Sequence, residues 1–262
     1  MSIKNPGSAI GEGIGNCLEI ASNNFIREII TYENFFLVEK GPINQKTGKP
    51  KKLLLKDQHG NSYNIDAVIT DKECKPIILL EYKYIRYKKH NRDKGSWLCT
   101  AHSGIRKNYP SIRSSIAILA GNWSESSLKM IKSHQINVFL IPFETVSKIL
   151  KTKGIVFDWE EKERNIAIRA WQQFSQLSED DKTQIGNEMI KSIKKPLEEK
   201  IRSILNEKTE REFTKMIIEV HTNLGEVKTI EINNPLKLQK ILKDSDLEYT
   251  FIFKRKDSPS IC

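Results

Sequence analysis

Residues 62–84 read SYNIDAVITDKECKPIILLEYKY, and the fold follows from how this stretch pairs with itself. Two apolar runs, 63–70 and 76–84, flank a polar connection of Asp71, Lys72, Glu73, Cys74 and Lys75, which is the pattern of a β-hairpin. The succession Ile77, Ile78, Leu79, Leu80 predicts a strand buried on both faces of a sheet. Yet Asp66 interrupts the first run, and Glu81 and Lys83 interrupt the second. Charges in such places need partners that offset their burial.

Side chains alternate along a strand, so Glu81 and Lys83 share a face. With a two-residue loop at Glu73-Cys74, Asp66 stands directly opposite Glu81, their β-carbons about 5 Å apart. Like charges so placed destabilise a sheet unless a cation lies between them. Two carboxylates on adjacent strands with a lysine beside them form a candidate divalent-metal site, with the lysine available to a water or a phosphate. The register carries this reading, since a slip of one residue would move Asp66 to the other face.

Asp66, a fourteen-residue spacer and Glu81-Tyr82-Lys83 resemble the active-site pattern of the PD-(D/E)XK nuclease superfamily, the fold group of many restriction endonucleases. Ile65 stands where that pattern has its proline. Glu-x-Lys also occurs at Glu73-Cys74-Lys75, Glu160-Glu161-Lys162, Glu198-Glu199-Lys200 and Glu226-Val227-Lys228, but only Glu81 has the hairpin, the apolar strand and the facing acid. The resemblance implies that Asp66, Glu81 and the Tyr82 carbonyl hold Mg²⁺ and that Lys83 orients or helps deprotonate an attacking water. It is most like a Type II restriction endonuclease, acting as a homodimer on double-stranded DNA. Holliday-junction resolvases of the superfamily place a further glutamate on the first core helix in a Gly-x-x-x-Glu setting, and Gly15-Asn16-Cys17-Leu18-Glu19 is similar. Glu19 is thereby a candidate fourth active-site residue, the other reading being a glutamate on the solvent face of an amphipathic helix.

The 262-residue chain, 38% hydrophobic and 29% charged, has the composition of an ordinary soluble protein. No run is long enough to span a bilayer, and MSIKNPGSAIGEG lacks the apolar core of a signal peptide, so a cytoplasmic protein without membrane association is expected. Cys17, Cys74, Cys99 and Cys262 are scattered without a CxxC pair, which predicts free thiols. Between Lys83 and Arg113 lie nine Lys or Arg residues and one acid, Asp93, a net charge of +8 within a chain of +10. This excess directly follows the candidate site and suits a polyanionic substrate. Arg86, Lys88, Lys89, Arg92, His102, Arg106 and Lys107 are the candidate DNA-binding residues, with His102 otherwise read as an ordinary exposed histidine, and 254–256 as a further basic contribution.

Taken in order, 1–13 is expected to be an irregular lead-in, 14–30 an amphipathic helix, and 35–39 and 53–55 short strands. After the hairpin come a basic connection over 86–95, a helix over 96–108 capped by Ser96, strands over 115–120 and 138–141, and helices over 124–134 and 144–151. The alternation predicts an α/β fold, a restriction-endonuclease-like mixed sheet flanked by helices, in a nuclease core of residues 1–155. An accessory region, 156–262, is expected to hold three helices followed by a small ββαβ unit whose last helix and strand span 235–242 and 249–253, for DNA recognition or dimerisation. Phosphate-loop, zinc-protease and nucleophile-elbow motifs are absent. A structure-specific nuclease, such as a junction resolvase or repair enzyme, and a non-catalytic DNA-binding module on a degenerate nuclease fold are the alternatives.

Overall fold

The computed structural model describes residues 5–236, apart from 32, 89, 90, 161 and 162, together with residue 238. Helix α1, Pro6–Ile30, opens the chain. The Asn5 side chain accepts from the Ser8 amide at 3.1 Å and Pro6 occupies the first turn, so the expected irregular lead-in is already helical. An N-cap acceptor and an N-terminal proline both favour that start. Strands β1 (Phe35–Val38), β2 (Leu54–Lys56), β3 (Ser62–Asn64), β4 (Ala67–Asp71) and β5 (Pro76–Ile85) follow. Then come α2 (Asn91–Asn108), β6 (Ser114–Gly121), α3 (Glu125–Ser133), β7 (Ile136–Pro142) and α4 (Phe143–Thr152). Helices α5 (Arg164–Ser175), α6 (Glu179–Ile190) and α7 (Lys194–Leu205) complete this part. Ser96 lies inside α2 rather than capping it, because the helix begins a turn earlier at Asn91, whose amide side chain donates to the Asn122 carbonyl at 2.8 Å.

The sheet is five-stranded, in the order β1-β4-β5-β6-β7. The β1, β4 and β5 pairings are antiparallel and the β5, β6 and β7 pairings parallel. All eight residues of β6 are buried, as a central strand covered by helices on both faces requires. On one face Ile78, Leu80, Tyr82, Ile116 and Ile118 join α1, α4 and the three helices α5–α7 in a single core. On the other face two smaller apolar clusters lie under α2 and α3, one around Val68, Leu79 and Ile105, the other around Ile85, Leu98, Leu119 and Ile131.

The first run of the hairpin is not one strand. It breaks at Ile65-Asp66, so that 62–64 pairs outward with β2 and only 67–71 enters the main sheet. The turn also differs from the two-residue loop. Asp71 and Lys75 close it through an Asp71 amide to Lys75 carbonyl bond of 3.1 Å, with Cys74 at φ 60°, so three residues, 72–74, form the loop. This is the three-residue hairpin that ends in a left-handed residue. A register shift between Ile69 and Thr70 then restores the pairing of Ile69 with Ile78 and Ala67 with Leu80.

The chain divides into two compact units at 207/208, not at 155/156. The physical reason is α1: its far side packs against α5, α6 and α7, which bury Phe174, Ile185, Met189, Leu197 and Ile201 into the same core as the sheet. The second unit contains the expected hairpin, β8 (Met216–His221) with β9 (Val227–Ile232). The helix expected over 235–242 lies largely, and the strand over 249–253 and the basic 254–256 wholly, outside the described residues. No helix among the described residues is long and apolar enough to cross a membrane. Cys17, Cys74 and Cys99 are free thiols.

The closest approach of α1 and α6 depends on Gly186, where a β-carbon would lie 2.3 Å from the Cys17 carbonyl oxygen. Helix propensity alone favours alanine there by about 1 kcal/mol, but a backbone atom cannot give way as a side chain can. Gly186→Ala is therefore expected to destabilise the protein by about 1–3 kcal/mol, read as a fall of several degrees in the thermal midpoint by circular dichroism. A rise would show that the two helices are free to separate.

Candidate functional site

The face of β5 that meets α2 reads Leu79, Glu81, Lys83, Ile85, and the facing side of α2 reads Ile105, His102, Leu98. Leu79 and Ile105 belong to one apolar cluster and Ile85 and Leu98 to the other. Glu81, Lys83 and His102 fill the gap between them. They occupy positions where a continuous core would place apolar side chains.

Asp66 joins them because the chain bends immediately before β4. Asp66 directly precedes Ala67, whose partner Leu80 directly precedes Glu81, so the end of the pairing brings the two acids close. Its Oδ2 accepts from the Tyr82 amide at 2.8 Å and from Lys83 Nζ at 2.9 Å. Lys83 Nζ also ion-pairs with Glu81 Oε1, so one ammonium bridges the two carboxylates. Glu81 and His102 are wholly buried, and His102 Nε2 lies 3.6 Å from Glu81 Oε2, too long for a hydrogen bond. Neither Glu81 oxygen and neither His102 ring nitrogen has a partner with hydrogen-bond geometry.

The electrostatics follow from crowding these charges out of water. Burial, and then the Glu81 charge, push the Asp66 carboxyl above its ordinary range against the pull of Lys83. Burial acts on Glu81 in the same sense, but His102 and Lys83 together outweigh it and hold Glu81 below the usual range. Burial would weaken the Lys83 ammonium, and Glu81 and Asp66 reverse that, raising its pKa. Among these residues Asp66 is thus the carboxyl whose ionisation costs most.

Glu19 lies on α1, on the other side of the sheet, and is half-buried. Its pKa is raised by burial and then by Asp66, and lowered by Lys40 and Lys83, so its carboxyl senses the same charges. One turn further along α1, Asn23 accepts from the Tyr82 hydroxyl at 2.6 Å, fixing α1 against β5 at the level of the site.

The structure treats the candidate DNA-binding residues unequally. Arg86 turns inward: it is 8% exposed, its guanidinium donates to the Phe157 and Trp159 carbonyls, and its Cζ lies 3.6 Å from the centre of the Trp159 ring. It is a structural arginine that ties the end of β5 to the segment after α4, not a surface contact. His102 is not the exposed histidine of the simpler reading, since it packs on Glu81 in the interior. Arg106 is half-buried and donates to the Gln135 carbonyl at 3.5 Å, and burial lowers its pKa. Lys88, Arg92 and Lys107 are exposed. Lys89 lies outside the described residues.

Two features near the site carried weaker signals in the sequence. Lys40, Lys46, Lys49, Lys51, Lys52 and Lys56 are all exposed along residues 40–56, a stretch without an acid that doubles back and ends in β2, and Lys40 acts on Glu19. Their scatter among Gly, Pro and polar residues hides them as a run. Trp97, an aromatic set within the basic stretch around α2, is 39% exposed, with Lys83 Nζ 5.7 Å from its ring centroid. Basic and aromatic residues interleaved were the available signal.

Among the described residues, no three His, Cys, Asp or Glu side chains converge as a ready metal cage. The donor set fits a more open kind of site. Mg²⁺ is commonly bound by one or two carboxylates, its other positions filled by waters and substrate phosphate. Asp66 and Glu81 supply such oxygens, Glu81 presents two that accept no hydrogen bond, and the cationic Lys83 already stands between the acids. No protein-family model matches the chain, and neither a characterised protein nor a solved structure matches it significantly.

The raised Glu19 pKa carries a stability consequence. A carboxyl that binds its proton more tightly when folded adds stability below its ordinary value of 4.5, and that stability is lost as the pH rises through the raised folded value. At neutral pH the penalty is fully present. Glu19→Gln is expected to raise the midpoint at pH 7 by about 1–3 °C, and the gain should shrink as the pH falls below the ordinary glutamate range. Equal midpoints at both pH values would show that neither burial nor Asp66 raises the Glu19 pKa.

Proposed function

We propose that the chain is a Mg²⁺-dependent DNA endonuclease of the PD-(D/E)XK type. The observation that carries the reading is the single ammonium of Lys83 held between Asp66, just before β4, and Glu81 on β5, in a gap cut through an apolar sheet face. Such an arrangement is costly as a purely structural device. The order of helix, antiparallel meander, helix and parallel strand around this site is also what the resemblance implies for a restriction-endonuclease-like core. The finer form is a Type II restriction enzyme, a homodimer whose two-fold symmetry would match a palindromic duplex site.

In this reading Asp66, Glu81 and the Tyr82 carbonyl hold Mg²⁺, which when bound stabilises negative charge developing on the phosphate. Lys83, held as an ammonium, would orient the water that attacks phosphorus and donate to the phosphate oxygens, while the water's proton passes to solvent and the strand leaves through its ester oxygen. His102 braces Glu81 from behind and is a positioning residue, since it is closed off from substrate. Glu19 adds negative charge from α1. The exposed Lys88, Arg92 and Lys107, with the lysines of 40–56, supply sequence-independent attraction to the DNA backbone.

The test is incubation of the purified protein with long duplex DNA of known sequence, with Mg²⁺ and with EDTA. Discrete fragments that require Mg²⁺ are expected. Lys83→Ala and Lys83→Gln should both lose about 10²–10⁴-fold in rate while retaining the far-ultraviolet spectrum of the native fold. Cleavage confined to branched DNA would move the reading to a structure-specific nuclease. Intact DNA throughout, with binding retained, would leave a non-catalytic DNA-binding module.

A further inference from the structure

Trp97 stands out among the residues around the site because its ring meets Lys83 and still stays partly exposed. Its chain neighbours Leu98 and Cys99 are buried beneath α2, whereas Trp97 points out of that cluster and is 39% exposed. Its ring lies under the Lys83 ammonium, centroid to Nζ 5.7 Å, but Lys83 is already held by two carboxylates. A cation–π contact at a partly exposed site is worth only about 0.5–1 kcal/mol and is not what fixes the lysine. A large flat apolar surface is therefore left open within a few ångströms of the group that would meet the scissile phosphate. Arg92 and Lys94, exposed in the preceding turn of α2, add positive charge beside it.

We infer that Trp97 is a stacking platform for the nucleobase next to the scissile phosphate, and that the favoured substrate is a nucleic acid with an unpaired or extruded nucleotide at that position. In a continuous duplex both faces of every base are covered by its neighbours, and a protein ring can reach only edges and sugars. A base offers its face only when it has left the stack, and an aromatic side chain then receives it with little regard to sequence. The inference rests on the nuclease reading for the position of the phosphate, but not on the duplex-specific form of it.

The experiment measures binding without cleavage. Fluorescein-labelled 12-nucleotide single strand, 12-base-pair duplex and the same duplex with one bulged nucleotide are titrated in EDTA with wild type, Trp97→Ala and Trp97→Phe, and read by fluorescence anisotropy. Trp97→Ala is expected to lose about 5–100-fold in affinity for the single strand and the bulged duplex, and less than about 2-fold for the continuous duplex, where no base face is open. Trp97→Phe keeps the ring and should retain most of the affinity. Equal losses on all three DNAs, no loss on any, or no binding by wild type each overturn the inference. A parallel Mg²⁺ cleavage assay separates the two readings. Selective binding loss in Trp97→Ala, with no cleavage by wild type, removes the nuclease and keeps the platform. Cleavage by wild type, with Trp97→Ala weakened equally on every DNA, removes the platform and keeps the nuclease.

Discussion

Everything in the larger unit is arranged around three charges that a five-stranded sheet, covered on both faces, would not otherwise tolerate. Asp66, Glu81 and Lys83 crowd together in a place where water is scarce, and the Lys83 ammonium between the two acids is what offsets their burial and mutual repulsion. The strands supply the geometry. Alternation brings Glu81 and Lys83 to one face, antiparallel pairing brings Asp66 close to them, and the bend at Ile65-Asp66 turns that carboxylate toward the Tyr82 amide and the lysine. A fully buried histidine closes the back of the group. Each acid answers differently to the same surroundings: His102 and Lys83 hold the Glu81 carboxyl below its ordinary range, while burial and then Glu81 hold Asp66 above its own.

Much of this was legible because strand physics is local. The apolar run 77–80 announced a buried strand, its interruptions announced the site, and period-two alternation sorted the faces. The nearness of Asp66 to Glu81 was reached through a loop that the protein does not have. A two-residue turn and a three-residue turn followed by a bulge lead to the same register beyond Ile69, because the extra residue in the loop is compensated within the strand. What selects the register is the burial of Val68 with Leu79 on one face and Ala67 with Leu80 on the other, which no loop count overrides.

What could not be read was tertiary in origin. The charge of Arg86 argued for the surface, but four aromatic rings, Tyr87, Phe143, Phe157 and Trp159, gather around its guanidinium, and two of them come from a segment over seventy residues away. His102 had the spacing of an exposed helix face together with Arg106, and only the packing of α2 on β5 turns it inward. The three helices expected after 155 read as part of a separate accessory region. Their apolar stripes are nevertheless long enough to enclose α1, and enclosure rather than composition decides which unit they belong to.

Tyr82 joins the two sides of the sheet in one residue. Its main-chain amide steadies Asp66 on the face toward α2, while its hydroxyl reaches through to Asn23 on α1. Helix α1 in turn is clamped from outside by α5, α6 and α7. The spacing of the acids is therefore set partly by helices that never approach them, in the way that the stiffness of a vice depends on its frame and not its jaws. The segment 164–205, which carries none of the candidate chemistry, is the frame of this site. Loosening it would enlarge the gap between α1 and the strand, and leave each acid intact but out of step with the others.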